Sequence, residues 1–283
     1  MALGNNTDSP SVHSPIVLTV AGSDSGGGAG IQADIKAISA TGSYACTVIT
    51  ALTAQNTCGV SAVLPIDPSF IEAQFAAVFS DIAVDVVKIG MLGDAATIRT
   101  VAKALRQFPV KHIVLDPVMV ATSGDVLLEE EAISSLISEL LPLASVITPN
   151  IPEALALLGR KRNQSIETER QSLALCSDLL ALGCQSVLVK GGHQSGPQSC
   201  DYWFSDTEQQ VFSSPRIDTK NTHGTGCTLS SAIASYLAQG YALADAIGSA
   251  KHYISEALRH GKYLKIGSGS GPVQHFFAQQ HHD

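Results

Sequence analysis

The chain has 283 residues, of which 45% are hydrophobic and 15% charged, and it carries a formal net charge of −8. That is enough apolar material for one large α/β domain or two small ones around a sizeable buried core. The acidic balance, with no dense basic run, argues against nucleic acid or an anionic membrane as a main partner, and no apolar run of about 18 residues is present to span a bilayer.

Residues 1–14 are polar, rich in Gly, Asn, Ser and Pro. They lack both an apolar signal core and an Arg-rich transit pattern, so they read as a flexible tail on a cytoplasmic protein, with the domain proper over residues 15–283. The six cysteines show no Cys-x-x-Cys spacing, and Cys46, Cys176 and Cys184 sit inside apolar patterns. Buried reduced thiols are expected, with neither a disulfide frame nor a zinc site.

Residues 16–20 are an apolar, β-branched run and predict a buried strand. The glycine-rich stretch 21–30 predicts a long flexible loop, and residues 31–40 a helix with Ile31, Ile35 and Ile38 on one face. Gly28-Ala-Gly-Ile-Gln-Ala33 loosely fits a dinucleotide fingerprint, but no acid stands about 20 positions on. No P-loop signature occurs anywhere in the chain.

A second strand is expected over 46–52, then a polar loop over 53–59. Gln55 in that loop is either a solvated turn residue or an amide placed to read a heteroaromatic ring with an amino group. The pattern then alternates: helix 69–80, strand 84–89, helix 95–108, strand 112–115. Glycines follow strand 84–89 around Met91, and Asp116-Pro-Val118 follows strand 112–115. Asp116 is a turn residue or a candidate for a metal or a phosphate-side water.

Residues 129–141 predict an amphipathic helix, and 145–148 a strand closed by Pro149-Asn-Ile-Pro-Glu153. Asn150 and Glu153 fit a helix cap with a first-turn acid, or together a hydrated Mg²⁺. A polar surface loop over 160–169, a helix over 170–182 and a strand over 186–189 follow, leading to Lys190 beside two glycines. Segments 202–205 and 210–213 read as a hairpin, 228–239 and 242–258 as helices, and 261–283 mostly as loop.

The most informative stretch is Lys220-Asn-Thr-His-Gly-Thr-Gly-Cys-Thr228, glycines leading into an apolar helix. Free N–H groups and the positive dipole end coincide at such a start, which suits an anion. Cys227 stands in that field, where a thiol pKa is expected to be lowered. Strands alternating with helices imply one doubly wound, mostly parallel sheet, with ligands beyond its carboxyl edge.

Six stretches then carry a resemblance. They are Ala21-Gly-Ser-Asp-Ser-Gly-Gly-Gly-Ala-Gly-Ile-Gln-Ala-Asp34, Thr50-Ala-Leu-Thr-Ala-Gln-Asn-Thr57, Lys88-Ile-Gly-Met-Leu92, Thr148-Pro-Asn-Ile-Pro-Glu153, Val189-Lys-Gly-Gly-His193 and Thr219-Lys-Asn-Thr-His-Gly-Thr-Gly-Cys-Thr228. In this order, from about Ile16 to about Phe276, the chain resembles the bacterial hydroxymethylpyrimidine/phosphomethylpyrimidine kinases of thiamin synthesis, within the ribokinase-like superfamily.

The resemblance implies a single-domain three-layer α/β fold, a central mostly parallel sheet flanked by helices, commonly as a homodimer. It implies transfer of phosphate from MgATP to the hydroxymethyl group of 4-amino-5-hydroxymethyl-2-methylpyrimidine, then to the resulting monophosphate. By the same resemblance Gln55 binds the pyrimidine, and Gly22, Asp34, Met91 and Val118 line its pocket. Lys190 lies near the ATP phosphates, Asn150 and Glu153 serve Mg²⁺ and phosphate, and Gly224, Thr225 and Gly226 form the anion hole. Cys227 is the expected base, where most sugar kinases of the superfamily carry Asp. Ser25-Gly26 replaces the Pro-Ser of many relatives, which affects loop stiffness alone. The alternatives are a pyridoxine/pyridoxal kinase of the same superfamily, a pyrimidine-binding regulator without turnover, and a dehydrogenase, which the missing ribose-binding acid disfavours.

Overall fold

The computed structural model describes residues 14–120, 127, 130–192 and 196–279. The central strands of its sheet are mostly buried apolar runs, as in parallel sheets covered on both faces, and the edge strands are more exposed. The strands are β1 (Ile16–Asp24), β2 (Tyr44–Asn56), β3 (Gly59–Pro65), β4 (Val86–Ile89), β5 (His112–Leu115), β6 (Val146–Ile147), β7 (Ser186–Lys190), β8 (Gln198–Ser205) and β9 (Gln209–Pro215). They form one sheet in the order β3-β2-β1-β4-β5-β6-β7-β8-β9. The strands from β2 to β7 in that order run parallel, and β3, β8 and β9 close the two edges antiparallel. In register, Val20 lies beside Val48 on one side and Ile89 on the other.

The helices are α1 (Gly30–Ala40), α2 (Pro68–Phe79), α3 (Ala95–Gln107), α4 (Glu130–Ser135), α5 (Ile151–Leu157), α6 (Glu169–Leu180), α7 (Thr225–Ala238) and α8 (Leu243–Gly261). Strand alternation divides them into two layers. Leu18, Val20, Val87, Ile89 and Leu115 face α2 to α6, and Val17, Val86, Val114 and Leu188 face α1, α7 and α8. The result is the three-layer α/β arrangement expected from the sequence. Among the described residues, no helix is long and apolar enough to cross a membrane.

Several expectations change. The stretch 21–30 is not a long flexible loop: β1 continues to Asp24, whose carboxylate accepts N–H bonds from Gly26, Gly28 and Ala29 at 2.8, 3.0 and 2.8 Å. One buried acid thus gathers the backbone donors of the turn. The polar segment 53–59 is not a loop either. β2 runs through it to Asn56 and turns into β3, an exposed edge strand whose short apolar run, Ala62-Val63-Leu64, sequence reasoning passed over. The single helix expected over 129–141 is instead α4, a π-helical turn (Leu136–Leu140) and a 3-10 turn (Leu141–Leu143) that holds Pro142. Proline lacks the N–H that would continue the ladder. The tail 1–14 lies, but for its last residue, outside the described residues.

β1 to α1 to β2 departs to one side of β1, and the connection to β4 returns on the other. The crevice therefore belongs at the carboxyl ends of β1 and β4.

Candidate active site

A cavity of about 650 Å³ occupies that crevice. Residues 22–24 at the end of β1, Gln55 near the end of β2, Met91 after β4, Asp116 and Val118 after β5, Asn150 and Glu153 after β6, and Lys190 of β7 line it, with the start of α7 opposite. Of the residues expected from sequence, Gly22, Gln55, Met91, Asp116, Val118, Asn150, Glu153, Lys190, Gly224, Thr225, Gly226 and Cys227 all meet on this one surface.

Asp34 does not join them. It is fully buried one layer behind the wall, where Thr19 and Ser231 donate to it at 2.6 and 2.7 Å and Lys88 donates to both its oxygens at 2.8 and 2.9 Å. All its strong acceptor directions are used by protein donors, so it supports the floor and does not read a ligand. Lys88, which sequence reasoning passed over, is the member of this group that lines the cavity.

Gly224 caps α7 at φ +78°, a conformation open to glycine, and a β-carbon there would collide with the Gly28 carbonyl. Gly28 in turn leaves room for the His223 ring. His223 Nε2 lies 2.9 Å from Asp24 Oδ2 and 3.4 Å from Gln55 Nε2, and Thr53 donates to Gln55 Oε1 at 3.0 Å. Burial raises the Asp24 carboxyl, but His223 and the turn N–H groups outweigh it and hold it below its ordinary value. Asp24 and His223 thus clamp the first glycine turn against the anion loop. The available signal was Asp24 at a strand end before a glycine run, and the histidine directly before Gly224.

At the other end Lys190 Nζ donates to Asp116 Oδ1 at 2.8 Å, and Thr148 donates to the same oxygen at 3.2 Å. Ser230 of α7 approaches Asp116 Oδ2 at 3.3 Å. A β-carbon on Gly226 would stand 3.2 Å from Lys190 Nζ, so the helix start sits directly over this pair. Burial opposes charge on Asp116, yet Lys190 and Lys88 keep its pKa low; burial likewise opposes Lys190, and Asp116 with Glu153 carries its pKa above the usual value.

Asn150 and Glu153 form a reciprocal cap on α5: Glu153 N–H donates to Asn150 Oδ1 and Asn150 N–H to Glu153 Oε2, each at 2.8 Å. The capping reading therefore holds, and the pair still faces the cavity. Burial pushes Glu153 up to about 7, with Lys190 opposing and Asp116 adding to the rise. No group of three or more His, Cys, Asp or Glu residues among the described residues forms a metal cage. The Asp116 and Glu153 carboxyls both line the cavity, a donor set that fits a hydrated Mg²⁺, which keeps its waters and binds through few protein oxygens.

Cys227 corrects the electrostatic expectation. Desolvation pushes its thiol up to about 11; Lys88 and the Gly30 backbone oppose that, and the charges of Asp34 and Asp116 add to the rise. The helix end is real, but burial outweighs it. As a whole the surface joins Gln55, the start of α7 at residues 224–227 and the lysines Lys88, Lys190 and Lys251 in one cavity.

Comparison with known proteins agrees with this arrangement. Residues 24–274 match the profile of the family described as phosphomethylpyrimidine kinase. The chain is 50% identical over 261 residues to the hydroxymethylpyrimidine/phosphomethylpyrimidine kinase of Salmonella typhimurium, covering 92% of this chain and 97% of that one. Among solved structures it is similar to the Bacillus subtilis pyridoxal kinase in its ADP complex, with TM-score 0.86 and 35% identity over 95% of this chain and 100% of that one. It is also similar to the phosphomethylpyrimidine kinase of Clostridium difficile, with TM-score 0.75 and 44% identity over 86% of this chain and 99% of that one. With the match running from the turn at Asp24 past the anion loop, the chain belongs to the phosphomethylpyrimidine kinase family.

Proposed function

We propose that the chain transfers a phosphoryl group from ATP to the hydroxymethyl oxygen of 4-amino-5-hydroxymethyl-2-methylpyrimidine, and then a second to the monophosphate, as a step of thiamin synthesis. The observation that carries this reading is the single cavity joining Gln55 to the start of α7 and Lys190. In it the Gln55 amide reads the ring, with Gly22, Met91 and Val118 as walls. The N–H groups of Gly226 and Cys227 at the start of α7 take the charge that develops on the transferred phosphoryl oxygens, the Thr225 N–H being held by the Thr222 carbonyl at 3.2 Å, and Lys190 neutralises the donor phosphates. Cys227 Sγ, as thiolate, accepts the hydroxyl proton as the new P–O bond forms and the bond to the leaving diphosphate breaks. With the thiol raised to about 11, only a small fraction of Cys227 is thiolate near neutral pH, so this base step should quicken as pH rises.

Glu153 and Asp116, with Asn150 beside them, would hold a hydrated Mg²⁺, which when bound offsets phosphate charge. The resemblance further supports a cytoplasmic homodimer in which residues 15–283 form the kinase domain and 1–14 a tail; light scattering on the purified protein tests the dimer.

The deciding experiment is an ATP-coupled assay with Mg²⁺, comparing the hydroxymethylpyrimidine, its monophosphate, pyridoxine and no acceptor. Turnover on both pyrimidines well above pyridoxine supports the proposal. Turnover on pyridoxine alone moves the chain to the second reading, pyridoxal kinase, favoured by the Bacillus subtilis neighbour. Silence with folded protein favours a binding regulator.

A further inference from the structure

The chain after α8 does more than trail off. Asn221, just before the anion loop, donates through Nδ2 to the carbonyls of Gly261 and Leu264 at 2.7 and 2.9 Å. The segment then crosses the tip of the β2–β3 hairpin. There Gly269 N–H donates to Thr57 Oγ1 at 3.2 Å, Ser270 N–H donates to the Thr57 carbonyl at 3.0 Å, and Ser268 Oγ lies 3.3 Å from Cys58 Sγ. A β-carbon on Gly267 or Gly269 would collide with Thr57, and one on Gly271 with Asn221. The glycines are what let the two backbones touch. His223 N–H next donates to the Gly271 carbonyl at 3.0 Å, and the chain is anchored by His275, whose ring lies 3.0 Å from Thr228 Oγ1 and whose carbonyl accepts from Tyr253 at 2.9 Å.

One exposed run of small residues therefore ties the strand end carrying Gln55 to the loop carrying Gly224. We propose that residues 267–272 act as a positioning strap, with Thr57 the residue through which the strap fixes Gln55 for the phosphate acceptor. β3 is an exposed edge; Ser25 Oγ holds the Gln55 backbone at 2.8 Å from the β1 side, and the strap holds the hairpin tip at Thr57 and Cys58. Small errors in the placement of a reactant lower rates steeply, so a tie of this kind acts on acceptor recognition. The inference rests on the reading of Gln55 as the acceptor contact.

The test is Gly269→Val, whose side chain displaces the strap from Thr57. The expected result is an acceptor KM raised about tenfold, with kcat within about threefold and the KM for ATP unchanged, as for the loss of one or two hydrogen bonds at one end of the site. A second variant, Thr57→Val, removes only the hydroxyl and shows a smaller rise; Thr57→Ser restores it. In a Thr57→Val/Ser268→Cys protein, oxidation with the native Cys58 relinks strap and hairpin and lowers the acceptor KM again, and dithiothreitol reverses this. An unchanged acceptor KM in Gly269→Val, or equal rises for acceptor and ATP, overturns the proposal. Hydrogen exchange at residues 55–60 separates it from the functional reading. Faster exchange in Gly269→Val alongside a wild-type protein inactive on both pyrimidines keeps the strap and removes the pyrimidine assignment; unaltered exchange removes the strap.

Discussion

Lys88 and Asp34 meet with neither side chain exposed, the ammonium bridging both carboxylate oxygens at 2.8 and 2.9 Å. Removing one partner of such a pair strands the other charge. Lys88→Met is expected to lower stability by about 3–5 kcal/mol, read as a fall in the urea midpoint at constant slope. Lys103→Ala, which breaks an ion pair with Glu72 at side chains 69% and 45% exposed, is the contrast. It should change stability by less than about 1 kcal/mol.

Cys227→Ala should reduce turnover on the pyrimidine by about 10²- to 10⁴-fold, the usual share of general-base help, while acceptor KM moves less than about threefold. Full turnover in this variant would remove the base assignment. Because the thiol is raised to about 11, its labelling by iodoacetamide should climb about tenfold per pH unit from 7 to 9. Exposed Cys58 should be labelled first, and buried Cys176 and Cys184 last, as read by peptide mass spectrometry.

Gln55→Ala should raise the acceptor KM by about tenfold or more with little change for ATP, because one amide supplies both a donor and an acceptor to the ring. An unchanged acceptor KM counts against Gln55 as the reader.

Gly224→Ala places a side chain at φ +78° and against the Gly28 carbonyl. We expect it to fold less stably by on the order of 1–3 kcal/mol and to lose turnover more than it loses nucleotide binding. A calorimetric scan and the coupled assay together check both halves.

Burial, helped by the charge of Lys36, pulls His275 from an ordinary 6.5 down to about 4. Between those values the unfolded chain binds a proton that the folded chain refuses, so this group's contribution is complete above pH 6.5 and is lost as pH falls. Glu153 acts in the opposite sense: raised from 4.5 to about 7, it lets the folded chain keep a proton, and its contribution declines as pH rises through that range. His275→Asn should therefore shrink the loss of stability from pH 6.5 to pH 5 by on the order of 2 kcal/mol. An unaltered loss in urea melts at the two pH values would show that another group titrates.

Much of the fold was legible because parallel strands buried on both faces must be apolar throughout. The run His112–Leu115 coincides with its strand, and α3 ends one residue from the expected boundary. β3 was invisible because its residues are mostly exposed and its existence depends on pairing with β2, which no local pattern encodes. The site was legible wherever a residue stands at a strand's carboxyl end, as Met91, Asp116 and Lys190 do. Asp34 misled because a helix residue next to a cavity can point at the sheet instead, and here Lys88 takes it. The thiol of Cys227 misled because the dipole could be inferred from sequence and the depth of burial could not.

The clamp between Asp24 and His223 spans 199 residues of chain. A ribosome adding about 5–20 residues per second makes the first partner about 10–40 s before the second. During that interval the turn after β1 has its acid but not its histidine, and the strap that crosses the hairpin has not yet emerged. A chain that ends before Gly224 therefore lacks the loop end of the site, and one that ends before Gly271 has both ends but not the complete strap between them.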